Sequence, residues 1–321
     1  AARVGAINLG QGFPDTDGPQ ELKVIAETAI DEGRGNQYPP AHGLLELREA
    51  IAFHQERFYG IRLNPVSDVV VTTGASEALQ SALLALIEPG DEVVMFEPWF
   101  DIYAAGISLA RGTRVSVPLG GTDYRPDIEA LRAAITPRTR IILINSPHNP
   151  SGMIWSREDM LTLQDILDPT DIILISDEVY EHMVYAPNRH WSAAHFDGLA
   201  ARAFIVSSFG KTYHVTGWKI GTVAAPAALT AEFRKVHQFN VFTVNTPMQH
   251  ALARYMADPK PYLELPAFYQ RKRDLFRQGL AQTKFKLLPG EGTYFQCVDI
   301  SELDVPEKNL GEAEFCKWLT T

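Results

Sequence analysis

The sequence predicts an α/β fold, a mostly parallel sheet between layers of helices, on three observations. Five short runs are apolar throughout, as strands buried on both faces must be: "VVVTT" (69–73), "EVVMF" (92–96), "RIILIN" (140–145), "DIILIS" (171–176) and "AFIVSS" (203–208). Helical patterns separate several of them, among them "SEALQSALLALI", "FDIYAAGISLA" and "SREDMLTLQDIL". The chain has 321 residues, 45% of them hydrophobic, enough for about two domains of roughly 150 residues each. In such a sheet the ligand site lies beyond the carboxyl ends of the strands.

Taken in order, those strand ends carry the unusual polar groups. "TTGASEAL" (72–79) ends a strand at Gly74 and opens a helix with Ala75, Ser76 and Glu77, whose free N–H groups and dipole can cradle a phosphate. By itself, Ser76 reads as an ordinary N-cap. "NSPHNPSG" (145–152) sets Asn149 between prolines, where its amide could donate to an oxyanion, although alone this is a proline-rich turn. "ISDEVY" (175–180) ends a strand in Asp177 with Tyr180 three residues on. Alone, Asp177 is a helix cap, and Asp177 with Glu178 makes a poor glycosidase pair because neighbouring residues point apart. "SSFGKTYHVTGWKIG" (207–221) puts Lys211 at a strand exit and Lys219 eight residues later. Its "GKT" ends like a nucleotide P-loop, but the glycine that motif requires five positions earlier is Ile205 here. Beyond Pro266 a long polar helix, "FYQRKRDLFRQGLAQ", and two strand-like runs around "PGEG" predict a smaller α+β domain, and "EAEFCKWLTT" a last helix with nothing after it to pack on.

Composition narrows the partners. With 29 basic and 39 acidic residues the formal charge is −10, which disfavours nucleic acid. Cys297 and Cys316 are too few for a disulfide framework or a structural zinc site and fit a reducing compartment. No stretch is apolar enough to span a bilayer, so a cytoplasmic protein without a membrane partner is expected. No metal is expected.

An amine, a carboxylate, a phenol, an amide and a phosphate cradle thus meet at one sheet edge. Pyridoxal 5'-phosphate is the cofactor that needs all five: lysine for the Schiff base, a carboxylate for the ring nitrogen, neutral donors for the ring oxygen and N–H groups for the phosphate. From about residue 7 onward the chain resembles the class I/II aminotransferases of fold type I, in the branch of methionine aminotransferase and kynurenine aminotransferase (glutamine transaminase K). The motifs are "NLGQGFPD", "NQYPP", "TGASEAL", "PHNPSG", "SDEVYEH", "SSFGKTYHVTGWKIG", "VHQF" and "EGTYF", in family order.

The resemblance implies that Lys211 carries the cofactor, that Asp177 pairs with its ring nitrogen, and that Tyr180 and Asn149 contact the ring oxygen. It implies Ser208, Lys219 and the amides of Ala75 and Ser76 at the phosphate, Phe100 stacked on the ring, and Trp99 packed elsewhere. A homodimer is also implied, with Tyr38 reaching the partner's phosphate and Phe242 lining the partner's substrate pocket, while Gly12 touches the substrate carboxylate. The large domain would span 31–262 and the small domain 1–30 with 263–321. An arginine that clamps the substrate carboxylate is expected from a region after Thr321, so the sequence is expected to be part of a longer protein. Ping-pong transamination between a neutral amino acid and a 2-oxo acid is the implied reaction. Thr243, where the kynurenine enzymes carry histidine, favours methionine or aromatic donors. A cysteine-S-conjugate β-lyase and an aminotransferase-like sensing domain of a regulator are the alternatives.

Overall fold

The computed structural model of the chain describes residues 5–10 and 12–320. Helices α1 (Gln20–Asp31) and α2 (Leu45–Tyr59) come first, and α2 stops at Gly60, whose φ of 74° is a left-handed cap. Strands and helices then alternate: β1 (Val69–Thr72), α3 (Gly74–Leu86), β2 (Glu92–Glu97), α4 (Ile102–Leu109), β3 (Thr113–Gly120), β4 (Arg125–Pro126), α5 (Ile128–Ala134) and β5 (Thr139–Asn145). Next come α6 (Arg157–Leu167), β6 (Ile173–Asp177), α7 (Asp197–Ala200), β7 (Ala203–Ser208), α8 (Phe209–Thr212) and β8 (Gly221–Ala224). Helices α9 (Ala227–Asn240), α10 (Thr246–Tyr255) and α11 (Lys260–Leu280) lead to β9 (Lys286–Leu287), β10 (Val298–Asp299) and α12 (Glu312–Leu319).

The eight-stranded sheet has the order β1-β8-β7-β6-β5-β2-β3-β4. Strands β3, β2, β5, β6 and β7 run parallel, while β8 is antiparallel to both its neighbours and β4 is a short reversed edge. Side chains alternate across the strands, so one strand feeds two cores. Ile141 and Leu143 pack with α3, α4 and α9, whereas Ile142 and Ile144 pack with α5 and α6. A third core joins β1 to α1, α2 and α10.

The register positions the site. Asn145 stands beside Asp177, and Thr72, Gly221 and Ser208 lie abreast in β1, β8 and β7. Gly221 allows the first turn of α3 to close on this edge: a Cβ there would lie 2.7 Å from the Gly74 carbonyl carbon and 2.9 Å from the Ala75 nitrogen.

Several elements differ from expectation. Strands β3 and β8 are additional; β3 is exposed over much of its length and so lacks a continuous apolar run. Pro266 lies inside α11 instead of preceding it, and the boundary expected between 262 and 263 falls within that one helix. The strand-like runs near the C-terminal end reduce to one two-residue antiparallel pair, β9 with β10. Helix α12 buries Phe315, whose ring meets Trp318. Among the described residues no helix is long and apolar enough to cross a membrane.

Candidate active site

Lys211 sits in α8, the single turn that follows β7, and Ser208 caps that turn by accepting from the Gly210 N–H at 3.3 Å. Its Nζ donates to the Gly12 carbonyl at 2.6 Å and lies 6.0 Å and 5.8 Å from the ring centres of Tyr180 and Tyr294. Burial, reinforced by the Lys219 cation, pushes its pKa down to about 8, with Asp177 acting the other way. Near neutral pH an appreciable fraction of this lysine is therefore the free amine, the form that can attack a carbonyl or take a proton.

Asp177 ends β6 and is fully enclosed. One carboxylate oxygen accepts from the Tyr103 hydroxyl at 2.6 Å and the other from the Val179 N–H at 3.2 Å. Burial nonetheless raises its pKa to about 6. The next residue is the opposite case. Burial pushes the Glu178 carboxyl up too, but His190, the Ala193 N–H and the Ser176 hydroxyl more than offset it and hold the group below the usual range. Two adjacent buried carboxyl groups thus differ: the partners of Glu178 outweigh its burial, whereas burial of Asp177 outweighs its hydrogen bonds and the pull of Lys211.

Tyr180 is buried, its hydroxyl 3.4 Å from that of Tyr294, which donates to the Gly12 carbonyl at 2.6 Å. Gly12, Lys211, Tyr294 and Tyr180 therefore form one group. The Asn149 N–H donates to Oδ1 of Asn145 at 2.7 Å, and Asn145 donates through Nδ2 to the Asp177 carbonyl at 2.9 Å. His148, hydrogen-bonded to the Pro98 carbonyl at 3.0 Å, ties the same loop to the exit of β2. There the Phe100 ring meets Tyr103 edge-on at 5.8 Å, while Trp99 carries the Arg114 guanidinium over its face.

Helix α3 starts at Gly74, with Thr73 and not Ser76 at its N-cap and no side chain capping it. The N–H groups of Gly74, Ala75 and Ser76 are thus the first of a helix, which supplies them no internal acceptors. Lys219, in a left-handed conformation with φ 55°, turns its amine onto this end, 3.1 Å from where a Cβ on Gly74 would stand. Free N–H groups and an ammonium at a helix N-terminus are a donor set for a phosphate dianion. The residues present fit pyridoxal phosphate: this cradle for its phosphate, a buried carboxylate with no ion-pair partner among the described residues for its ring nitrogen, and a depressed lysine for its aldehyde.

Tyr38 and Phe242 lie elsewhere. They meet edge-on at 5.1 Å, 79% and 47% exposed, and among the described residues neither makes a hydrogen bond or ring contact with the Lys211 group. The Thr243 hydroxyl is buried without a hydrogen-bond partner. The sequence reading overlooked Tyr103, Asn145 and Tyr294. Tyr103 and Tyr294 stood in quoted runs, "FDIYAAGISLA" and "EGTYF", but their partners are distant in sequence.

Fold and donor set define an enzyme of the fold-type I transferase architecture. The aminotransferase class I and II family profile matches residues 4–321. Methionine aminotransferase of Escherichia coli is 46% identical over 98% of this chain and 81% of its own length. Kynurenine–oxoglutarate transaminase 3 of Bos taurus is 35% identical over 99% of this chain and 75% of its own. A crystal structure of an Escherichia coli protein identified with methionine aminotransferase function superposes with a TM-score of 0.96 at 45% identity, covering 99% of this chain and 83% of that one. N-succinyldiaminopimelate aminotransferase from Mycobacterium tuberculosis gives 0.94 at 40% identity, covering 99% and 82%. The chain belongs to the class I and II aminotransferases and is a transaminase.

The hydrogen bond from Tyr103 lowers the Asp177 pKa against the effect of burial. Tyr103→Phe removes a charge-assisted bond of about 1.5–3 kcal/mol and should raise that pKa by about 1–2 units. Carbon-13 NMR titration of the aspartate carboxyls in cofactor-free protein reads it; an unmoved resonance would show that the hydroxyl does not act on Asp177.

Proposed function

We propose that the chain is a pyridoxal phosphate-dependent aminotransferase that takes the amino group of a neutral amino acid, methionine or an aromatic one, and passes it to a 2-oxo acid. The observation that carries this reading is that Asp177 at the end of β6 and Lys211 in the turn after the neighbouring β7 stand at the sheet edge where α3 begins, with the Lys219 amine turned onto that helix end. The 46% identity to a methionine aminotransferase supports the choice of donor. Cys297 and Cys316, both free, suit a reducing cytoplasm.

When bound, the cofactor supplies the carbonyl that carries the amino group and the ring that draws electrons from the amino acid's α carbon. The chain's own residues do the rest. Ser208, Lys219 and the amides of Ala75 and Ser76 would hold the phosphate, and Phe100 would lie against the ring. Tyr180 and Asn149 would donate to the ring oxygen. Asp177, ionised above about pH 6, would keep a proton on the ring nitrogen. Lys211 Nζ, once free, takes the α proton and returns one. Gly12, whose carbonyl accepts from Lys211 and Tyr294, would touch the amino acid carboxylate. The exposed Tyr38–Phe242 pair supports a homodimer in which Tyr38 completes the partner's phosphate site and Phe242 its substrate pocket.

Borohydride reduction of the loaded protein should label Lys211, and a screen of amino donors against one 2-oxo acid should show turnover with methionine or aromatic amino acids. A label on Lys219, or release of pyruvate and ammonia from cysteine conjugates in place of amino transfer, would overturn the assignment.

Mixing inactive Tyr38→Phe dimers with inactive Lys211→Ala dimers should restore activity in the hybrids, each of which holds one intact site. Hybrids proven by mass spectrometry that stay inactive would place Tyr38 in its own subunit's site.

A further inference from the structure

Glu181 and His182 follow Tyr180 directly, yet no role above uses them. With His54 of α2 they line a small cavity of about 30 Å³ whose wall includes Ser207 and Tyr213. One ring nitrogen of each histidine and one Glu181 oxygen all lie within 4.8 Å of one another. The three residues are 7%, 8% and 5% exposed for His54, Glu181 and His182. Among the described residues neither Nδ1 of His54 nor Nδ1 of His182, both buried, has a hydrogen-bond partner, although buried polar atoms are nearly always paired. The rings of Phe58 and Tyr262 enclose the two imidazoles.

Both Glu181 oxygens accept hydrogen bonds, one from the Tyr59 hydroxyl and one from the Ser207 hydroxyl, and both donors are neutral. Two imidazoles and a carboxyl group, with ring nitrogens left unpaired among the described residues, thus share one small cavity.

We propose that His54, Glu181 and His182 bind a divalent transition-metal ion of the zinc type, in a cavity whose wall also includes Ser208. Two imidazoles and a carboxylate are ligands that zinc takes, and the nitrogen majority disfavours magnesium and calcium. Bonds of about 2.0–2.1 Å place tetrahedral ligand atoms about 3.3 Å apart. The three side chains therefore draw together around the ion, and the cavity leaves a fourth position for water. The bound ion clamps α2 to the loop after β6, against the residue that precedes Ser208.

The test uses the cofactor-loaded protein, stripped with a chelator, exposed to Zn²⁺, desalted and analysed by elemental mass spectrometry beside His182→Gln. Wild type should retain about one ion per chain and the variant less than about a tenth of that, with a rise in thermal midpoint on Zn²⁺ only in wild type. Co²⁺ in place of Zn²⁺ should give the intense visible bands of a four-coordinate centre. If the variant does not fold, wild-type stoichiometry and the Co²⁺ spectrum decide by themselves. Wild type that retains no Zn²⁺ and keeps its midpoint overturns the proposal, as does equal retention by a folded variant, which means an adventitious ion only.

Discussion

Burial of the Asp177 carboxyl, which has no ion-pair partner among the described residues, is the constraint around which the rest of the site is arranged. A carboxylate at the end of a strand covered on both faces loses its hydration, and two hydrogen bonds restore only part of it. The resulting pKa of about 6, against an ordinary 3.8, corresponds to roughly 3 kcal/mol in favour of the neutral form. Because the folded pKa is raised, this contribution to the stability of the cofactor-free protein is present at low pH and is lost as the pH rises through about 6. In the reading proposed here a cationic ring nitrogen would reverse the balance: the burial that costs stability in the cofactor-free protein would strengthen the pairing, since charges attract more strongly in a low dielectric.

The sheet makes that arrangement possible by bringing separate loops to one edge. Asn145 and Asp177 are neighbours across β5 and β6, so one asparagine side chain can brace both the Asp177 carbonyl and the Asn149 loop. Reversal of β8 lets its first residue, Gly221, stand between Thr72 and Ser208. Lys219 and Lys211 thereby approach the same edge from opposite ends of one short connection. Burial depresses Lys211 and the nearby Lys219 adds to it, and a phosphate bound at the start of α3, as proposed, would turn that repulsion to use by giving Lys219 an anion to face.

Much of this was legible in the sequence because its signals are local. A continuous apolar run marks a buried strand, and a charged residue just past it marks a sheet edge, so Lys211 and Asp177 could be placed from a few letters each. Tyr103 could not, because a tyrosine in the apolar helix "IYAAGISL" reads as packing, and its hydrogen-bond partner is 74 residues away. Asn145 reads as the end of a strand until the register sets it beside Asp177. Pro266 misled for a different reason. Proline ordinarily breaks a helix, yet α11 runs through it with Leu265 and Tyr269 buried on either side, where packing outweighs the lost backbone bond. His54 and His182 are 128 positions apart and nothing in either segment announces the other; the fold alone brings them together.

The most direct test of the central claim is the rate of α-proton exchange from methionine by the loaded Asp177→Asn protein, with cofactor content measured separately. The amide keeps the shape and can still hydrogen-bond, but it carries no charge to hold a proton on the ring nitrogen. Exchange should slow by at least about a hundredfold, some 2.7 kcal/mol of activation, while the cofactor remains bound. Exchange at the wild-type rate would contradict the account, because the charge of Asp177 would then have no part in the chemistry.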